Sequence, residues 1–147
     1  MKFVGFLNEE KAEKWAREKL GLDEPPEFFR AMAAVDKNND YVCVVVFTNF
    51  SSINIDVNIA MEGKKMTPKG TIEMFNEVFG FAFDRLHVRR VTGFTGGKNE
   101  KAKNIIEHFG FKLEGVMREA MPKGDDMFVY GFLADDFHNH AWCKGRG

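Results

Sequence analysis

The feature that most restricts the fold is the alternation between residues 53 and 61. Ile53, Ile55, Val57, Ile59 and Met61 fall on one side of an extended chain, and Asn54, Asp56, Asn58 and Ala60 on the other. A strand so patterned puts one face on a core and leaves the other polar, as an antiparallel or mixed sheet permits. Both plain solvent exposure and the wall of a cleft suit that polar face.

The flanking segments predict helices around such a sheet. Asn8 to Leu20 carries Ala12, Trp15, Ala16 and Leu20 at helical spacing, with Glu9 and Glu10 in the first turn and Gly21 as the stop. Pro25-Pro26 breaks the chain, and Glu27 to Met32 reads as a short helix whose continuation at Ala33 and Val35 is strand-like. Ala31 to Val35 and Tyr41 to Thr48 flank the polar turn Lys37 to Asp40 as a hairpin. Thr67 caps and Pro68 starts a long helix with Ile72, Phe75, Phe79, Ala82, Phe83 and Leu86 on one stripe. Val88 to Thr95 is a strand and Gly96-Gly97 a turn. Asn99 then caps a helix whose stripe is Ala102, Ile105, Ile106 and Phe109 and whose stop is Gly110. Lys112 to Met121 and Met127 to Leu133 form a hairpin with Gly124 at its tip, and residues 134 to 147 lose periodicity, which predicts a loosely docked or frayed tail. The many phenylalanines at helical spacing read as core.

At 147 residues, 44% of them hydrophobic, the chain is one domain's worth, 1–147. Its 21 basic and 22 acidic residues nearly cancel, which opposes nucleic-acid binding; Arg85, Arg89 and Arg90 around His87 read instead as charge at a helix end. Val42 to Phe47, the longest apolar run, is too short to span a bilayer, and no signal-peptide core follows Met1-Lys2. A cytoplasmic protein without membrane attachment is expected, with Cys43 and Cys143 as reduced thiols. His138, His140 and Cys143 lack a fixed fourth ligand, so no metal site is predicted.

The order Asn99, Ala102, Gly110, Phe111, Glu114, Gly115, Arg118 resembles the last conserved block of the GCN5-related N-acetyltransferases, above all the branch that acetylates ribosomal-protein amino termini. The resemblance covers residues 31 to 133. It implies an α+β fold with a mixed, mostly antiparallel sheet flanked by helices, acetyl-coenzyme A as cosubstrate, direct transfer to a primary amine on a small molecule or a protein N-terminus, and the option of a homodimer. Gly63, Lys64, Lys65, Met66, Thr67, Pro68, Lys69, Gly70 and Thr71 combine a helix start with lysines and small residues, an arrangement suited to an anion. An ordinary capped helix with solvated lysines fits the same residues. Their position after the alternating strand is where the family holds the coenzyme A pyrophosphate, although the family's glutamine or arginine with spaced glycines is absent and Lys64, Lys65, Lys69 and Gly70 stand in. The run lacks the ending of a phosphate-binding P-loop, which excludes that reading.

By the same resemblance, main-chain groups of Ile59, Ala60 and Met61 hold the pantetheine arm and the developing oxyanion, Asn99 binds near the pantetheine, and Ala102, Lys103 and Ile106 border it. The position of the family's usual tyrosine acid carries Ile106, and that of a serine carries Ala102. For the base that deprotonates an ammonium, the candidates are Asp56 on the strand and Glu62 just past it, with Tyr130 as a third, acid or substrate-contacting group. A non-catalytic acyl-coenzyme A-binding or protein-interaction module on the same fold is the alternative, favoured by the missing tyrosine and serine.

Overall fold

Among residues 1–144, which the computed structural model describes, the chain forms β1 (Lys2–Gly5), α1 (Glu9–Leu20), β2 (Arg30–Val35), β3 (Tyr41–Thr48) and β4 (Asn54–Met61). It continues with α2 (Pro68–Gly80), β5 (Arg90–Gly96), α3 (Glu100–His108), β6 (Lys112–Met117), β7 (Met127–Leu133) and α4 (Ala134–His138). The strands make one sheet in the order β1-β2-β3-β4-β5-β7-β6. Neighbours pair antiparallel except β4 and β5, which are parallel because α2 carries the chain back between them.

The caps act as predicted. Thr67 Oγ1 accepts from the Gly70 N–H at 3.1 Å and Asn99 Oδ1 from the Ala102 N–H at 3.2 Å. Gly21, with φ of 73°, closes α1. Beyond Gly80, α2 runs on as a π-helical turn, Phe81–Arg85. The helix expected over Glu27 to Met32 does not form. β2 begins at Arg30, where pairing with Phe47 of β3 and a 3.0 Å hydrogen bond from the Ala31 N–H to Glu9 Oε1 hold the backbone extended.

The two faces of the sheet are packed with different materials. On one, Phe75 and Phe79 of α2, Ile106 and Phe109 of the α3 segment and Phe137 of α4 meet Ile55, Val57, Ile59, Val91 and Phe132, with the paired ring centroids 5.2 to 6.4 Å apart. On the other, α1 lays Ala12 and Ala16 on Ala31, Ala33, Val44, Val46 and Ala60. α1 covers β2, β3 and β4. Cys43 of β3 lies fully inside the first layer, and burial pushes its thiol up to about 12.

The tail is not frayed through its described part. Phe137 is buried, Trp142 packs edge-on against Phe75, and the Asn76 side chain clamps the segment, donating to the Trp142 carbonyl at 2.8 Å and accepting from the Lys144 N–H at 2.7 Å. Its anchors are single aromatic residues too far apart to leave a periodic pattern. Residues 145 to 147 lie outside the described part.

Candidate active site

Where β4 and β5 separate, the sheet opens. Their pairing runs from Asn54 with Arg90 to Val57 with Gly93 and then ends, although β4 continues to Met61 and β5 to Gly96. Each strand stays paired on its outer side, β4 to β3 as far as Met61 and β5 to β7 as far as Gly96. Residues 58–61 therefore show one edge of backbone to a gap instead of to a strand.

The gap continues into two grooves. One, of about 230 Å³, is walled by Ile59, Ala60, Met61 and Glu62 on one side and by Lys19, Leu20, Asn99 and Lys101 on the others. The second, of about 430 Å³, shares Met61 and Lys101 with it and adds Gly63, Met66, Asn104, Ile105 and His108. On the α1 side, sharing Leu20 with the smaller groove, a cleft of about 560 Å³ lies between α1, the end of β3 and the middle of β4, reaching Glu13, Arg17, Thr48, Asn49 and Asn58.

A polar chain on the α1 face of the sheet ends at Asp56. Glu114 of β6 bonds the Arg90 guanidinium at 2.8 Å, passing over β7 at Gly131, where a Cβ would collide with the carboxylate. Arg90 donates to Thr92 Oγ1 at 3.0 Å, and Thr92 donates to Asn54 Oδ1 at 2.6 Å. Asn54 Nδ2 then donates to Asp56 Oδ1 at 3.0 Å, while Asn49 Nδ2 donates to Oδ2 at 2.9 Å. The hydrogen bonds from Arg90 hold the Glu114 carboxyl below its ordinary value against the opposing effect of burial.

No family model matches the chain, and a search of curated proteins by sequence finds no match. Solved structures do match. The spermidine/spermine N-acetyltransferase SpeG from Vibrio cholerae is similar with a TM-score of 0.62 over 78% of this chain and 71% of that one, at 17% identity. The ribosomal-protein-S5-alanine acetyltransferase from Vibrio fischeri gives 0.61 over 74% and 63%, at 18% identity. A GNAT-family acetyltransferase from Bacillus anthracis gives 0.59 over 83% and 72%, at 15% identity. The fold is that of the GCN5-related N-acetyltransferases.

On this GCN5-related N-acetyltransferase fold, the residues singled out from the sequence separate into two groups. Ile59, Ala60, Met61, Glu62 and Asn99 come together at the smaller groove, and Met66 reaches the second. The Asn99 cap engages Oδ1 only, which leaves Nδ2 to donate. Ala102 and Ile106, by contrast, are buried in the core, on the stripe that packs α3 onto the sheet. Lys103 turns away to the Gly97 carbonyl, 2.9 Å, and to the Phe128 ring, 4.6 Å. The α3 residues that face the groove are Lys101, Asn104, Ile105 and His108. Helical spacing could have found them, because a core stripe at Ala102, Ile106 and Phe109 leaves positions 101, 104 and 108 on another side.

Tyr130 sits opposite Gly93, only 1% exposed, in the layer under α2 and α3 and away from the face that carries Asp56. Burial first, then Glu107 and Glu100, push its hydroxyl pKa up, which disfavours the phenolate. Glu62 is ion-paired with Lys19 of α1.

The start of α2 offers less to an anion than its sequence suggests. Pro68 has no N–H, Gly70 N–H goes to Thr67 Oγ1, and Thr71 N–H goes to the Thr67 carbonyl at 2.9 Å. Lys65 N–H and Met66 N–H close a helical turn over residues 63–65. Lys65 Nζ bonds Asp36 at 3.0 Å, which holds that carboxyl below its usual range. Gly70 is small for packing reasons, since a Cβ there would meet Met1 Sδ at 2.7 Å. Within the first turn of α2 the Lys69 N–H and the exposed side chain of Lys69 remain, with the Thr67 N–H just before them; the Lys64 side chain lies outside the described part.

In the tail, His138 Nε2 contacts Asp84 at 2.6 Å and His140 packs on Phe75. Among the described residues, no three His, Cys, Asp or Glu side chains are grouped to hold a metal, and no helix is long and apolar enough to cross a membrane. Sequence reasoning missed Glu13 altogether. It is 5% exposed, lies on α1 between the buried Ala12 and Ala16, and pairs with Arg17 at 3.1 Å. The sign was the i, i+4 spacing of Glu13 and Arg17 on an apolar face.

Proposed function

We propose that the chain is an acetyl-coenzyme A-dependent N-acetyltransferase that moves the acetyl group directly to a primary amine. The observation that carries this reading is the end of β4–β5 pairing at Val57 and Gly93, which opens the sheet onto the groove lined by Ile59, Ala60, Met61 and Asn99. The residues present fit the thioester arm well, because an unpaired strand edge offers amide donors and acceptors to an extended chain. They fit the phosphate end through Lys69, Lys101 and the Lys69 N–H rather than through a row of backbone donors.

When bound, acetyl-coenzyme A supplies an activated acetyl thioester. A backbone N–H on the free edge of residues 59–61 donates to the carbonyl oxygen on which negative charge develops, which needs no particular side chain. Asn99 Nδ2 fixes the arm from the opposite wall. Asp56, held in one orientation by Asn49 and Asn54, takes a proton from the acceptor ammonium. At about 3.3 Å per strand residue, Asp56 lies roughly 7 Å along β4 from Asn58, farther than a single bridging water reaches, so a short file of waters carries that proton. A nitrogen–carbon bond forms, the carbon–sulfur bond breaks, and the sulfur leaves as a thiolate that takes its proton from solvent; it is a good enough leaving group to dispense with a tyrosine acid.

A second reading, an acyl-coenzyme A-binding module without catalysis, draws support from the Glu62–Lys19 ion pair beside the groove. Two measurements separate the readings. Acetyl-coenzyme A at a hundred times its dissociation constant should stabilise the fold by about 2.7 kcal/mol, read as a shift of the thermal midpoint. Thiol release with a panel of amines and peptide N-termini then marks the enzyme. Stabilisation without thiol release leaves the module, and neither effect removes both.

A further inference from the structure

Resting on the acetyltransferase reading, we propose that the acceptor is an amine carrying an aromatic or comparably bulky apolar group, gripped by Phe28 and Phe50 while Glu13 receives its ammonium end. The cleft between α1 and β4 combines two chemistries. At its mouth stand Phe28, 80% exposed, and Phe50, 58% exposed, with Leu22 beside them. These two rings also line a second recess of about 330 Å³ against Phe29, Phe47 and Phe81, so they form a ridge with a hollow on each side. Exposed rings that line recesses offer an apolar guest burial that they do not find within the chain.

The cleft carries a net negative charge. Inside it, the buried Glu13 is paired with Arg17 at 3.1 Å, and the exposed Glu24 and Glu27 add two carboxylates against that single guanidinium. A cation is favoured there. Asn58 places the inner end of the cleft at the first β4 residue past the last β4–β5 pair, so a nitrogen lodged near it faces the gap where the thioester is proposed to lie. A volume of about 560 Å³ suits a compact amine with its side group. A linear polyamine carries no bulky apolar group to cover Phe28 and Phe50.

The test compares 2-phenylethylamine with spermidine as acceptors for the intact protein, by thiol release from acetyl-coenzyme A, for the unaltered chain and for Phe28→Ser, Phe50→Ser and Glu13→Gln. Thermal midpoints check folding, and calorimetric titration with 2-phenylethylamine reads binding apart from turnover. We expect kcat/KM for 2-phenylethylamine to exceed that for spermidine about tenfold or more. Each Phe→Ser change should erode that preference through KM, and Glu13→Gln should weaken the calorimetric binding. Preference for spermidine, or an aromatic preference that survives both Phe substitutions, overturns the inference while the acetyltransferase reading stands. Absence of both acetyl-coenzyme A stabilisation and thiol release with any amine overturns the two together.

Discussion

One face of the sheet is packed with phenylalanine and the other with alanine, and the difference separates the bulk of the core from the proposed site. Rings of α2 and α4, with Phe109 just after α3, interlock over one face, where each buries a large apolar area. On the other face, Ala12 and Ala16 let α1 approach the strands closely, and the helix covers only β2 to β4. The large cleft and the chain of polar groups leading to Asp56 lie on the alanine side. A thin layer of small side chains holds a helix near a sheet without filling the space at its ends.

The contrast makes the phenylalanine face the place for the largest stability loss. Phe79→Ala should cost about 3–5 kcal/mol, measured by urea unfolding, with acetyl-coenzyme A affinity retained in whatever fraction stays folded. A loss under about 1 kcal/mol would mean that the ring layer is not where stability resides. Asp56→Asn should leave the unfolding midpoint nearly in place and lower kcat by about 10²–10⁴-fold, the usual range for a general base. Full activity at every pH would remove Asp56 from that role.

Ala60→Leu probes the thin layer. Overpacking beneath α1 should cost about 1–3 kcal/mol and, because Lys19 and Leu20 of α1 wall the groove beside Ala60, should also reduce the stabilisation by acetyl-coenzyme A. An unchanged ligand shift would uncouple α1 from the groove. The smallest effect belongs to Glu114→Gln. With its folded pKa lowered by Arg90, Glu114 contributes stability that is present above its unfolded pKa and is lost as pH falls through the folded value. The variant should therefore be less stable than the parent at neutral pH, by the modest amount typical of an exposed pair, and indistinguishable from it below that folded value. A gap between their urea midpoints that persisted in acid would assign Glu114 a role other than charge.

Local rules explain why so much of the architecture can be read from the chain. Ile55, Val57 and Ile59 alternate because the phenylalanine face buries them, and Thr67-Pro68 and Asn99 announce helix starts through the donors that they satisfy or lack. Ile59, Ala60, Met61 and Asn99, singled out through the resemblance, line one groove although α2 and β5 separate them in sequence. The features that stayed hidden depend on partners distant in sequence. The separation of β4 from β5 is set by where two strands joined through α2 stop pairing, and no side chain encodes it. The need for a small residue at position 70 depends on Met1, and the burial of Glu13 depends on the sheet behind α1. Pro25-Pro26 marked a break, but only the ladder with β3 decides that the chain from Arg30 onward is extended.

Cys43 turns the phenylalanine layer into its own stopwatch. A thiol sealed in that layer, with its pKa at about 12, is nearly inert to alkylating reagents while the sheet stays closed, because only the thiolate attacks. Its labelling rate in excess reagent therefore counts how often the sheet opens, so that quenched aliquots followed by mass spectrometry time the breathing of the ring-packed face without an added probe.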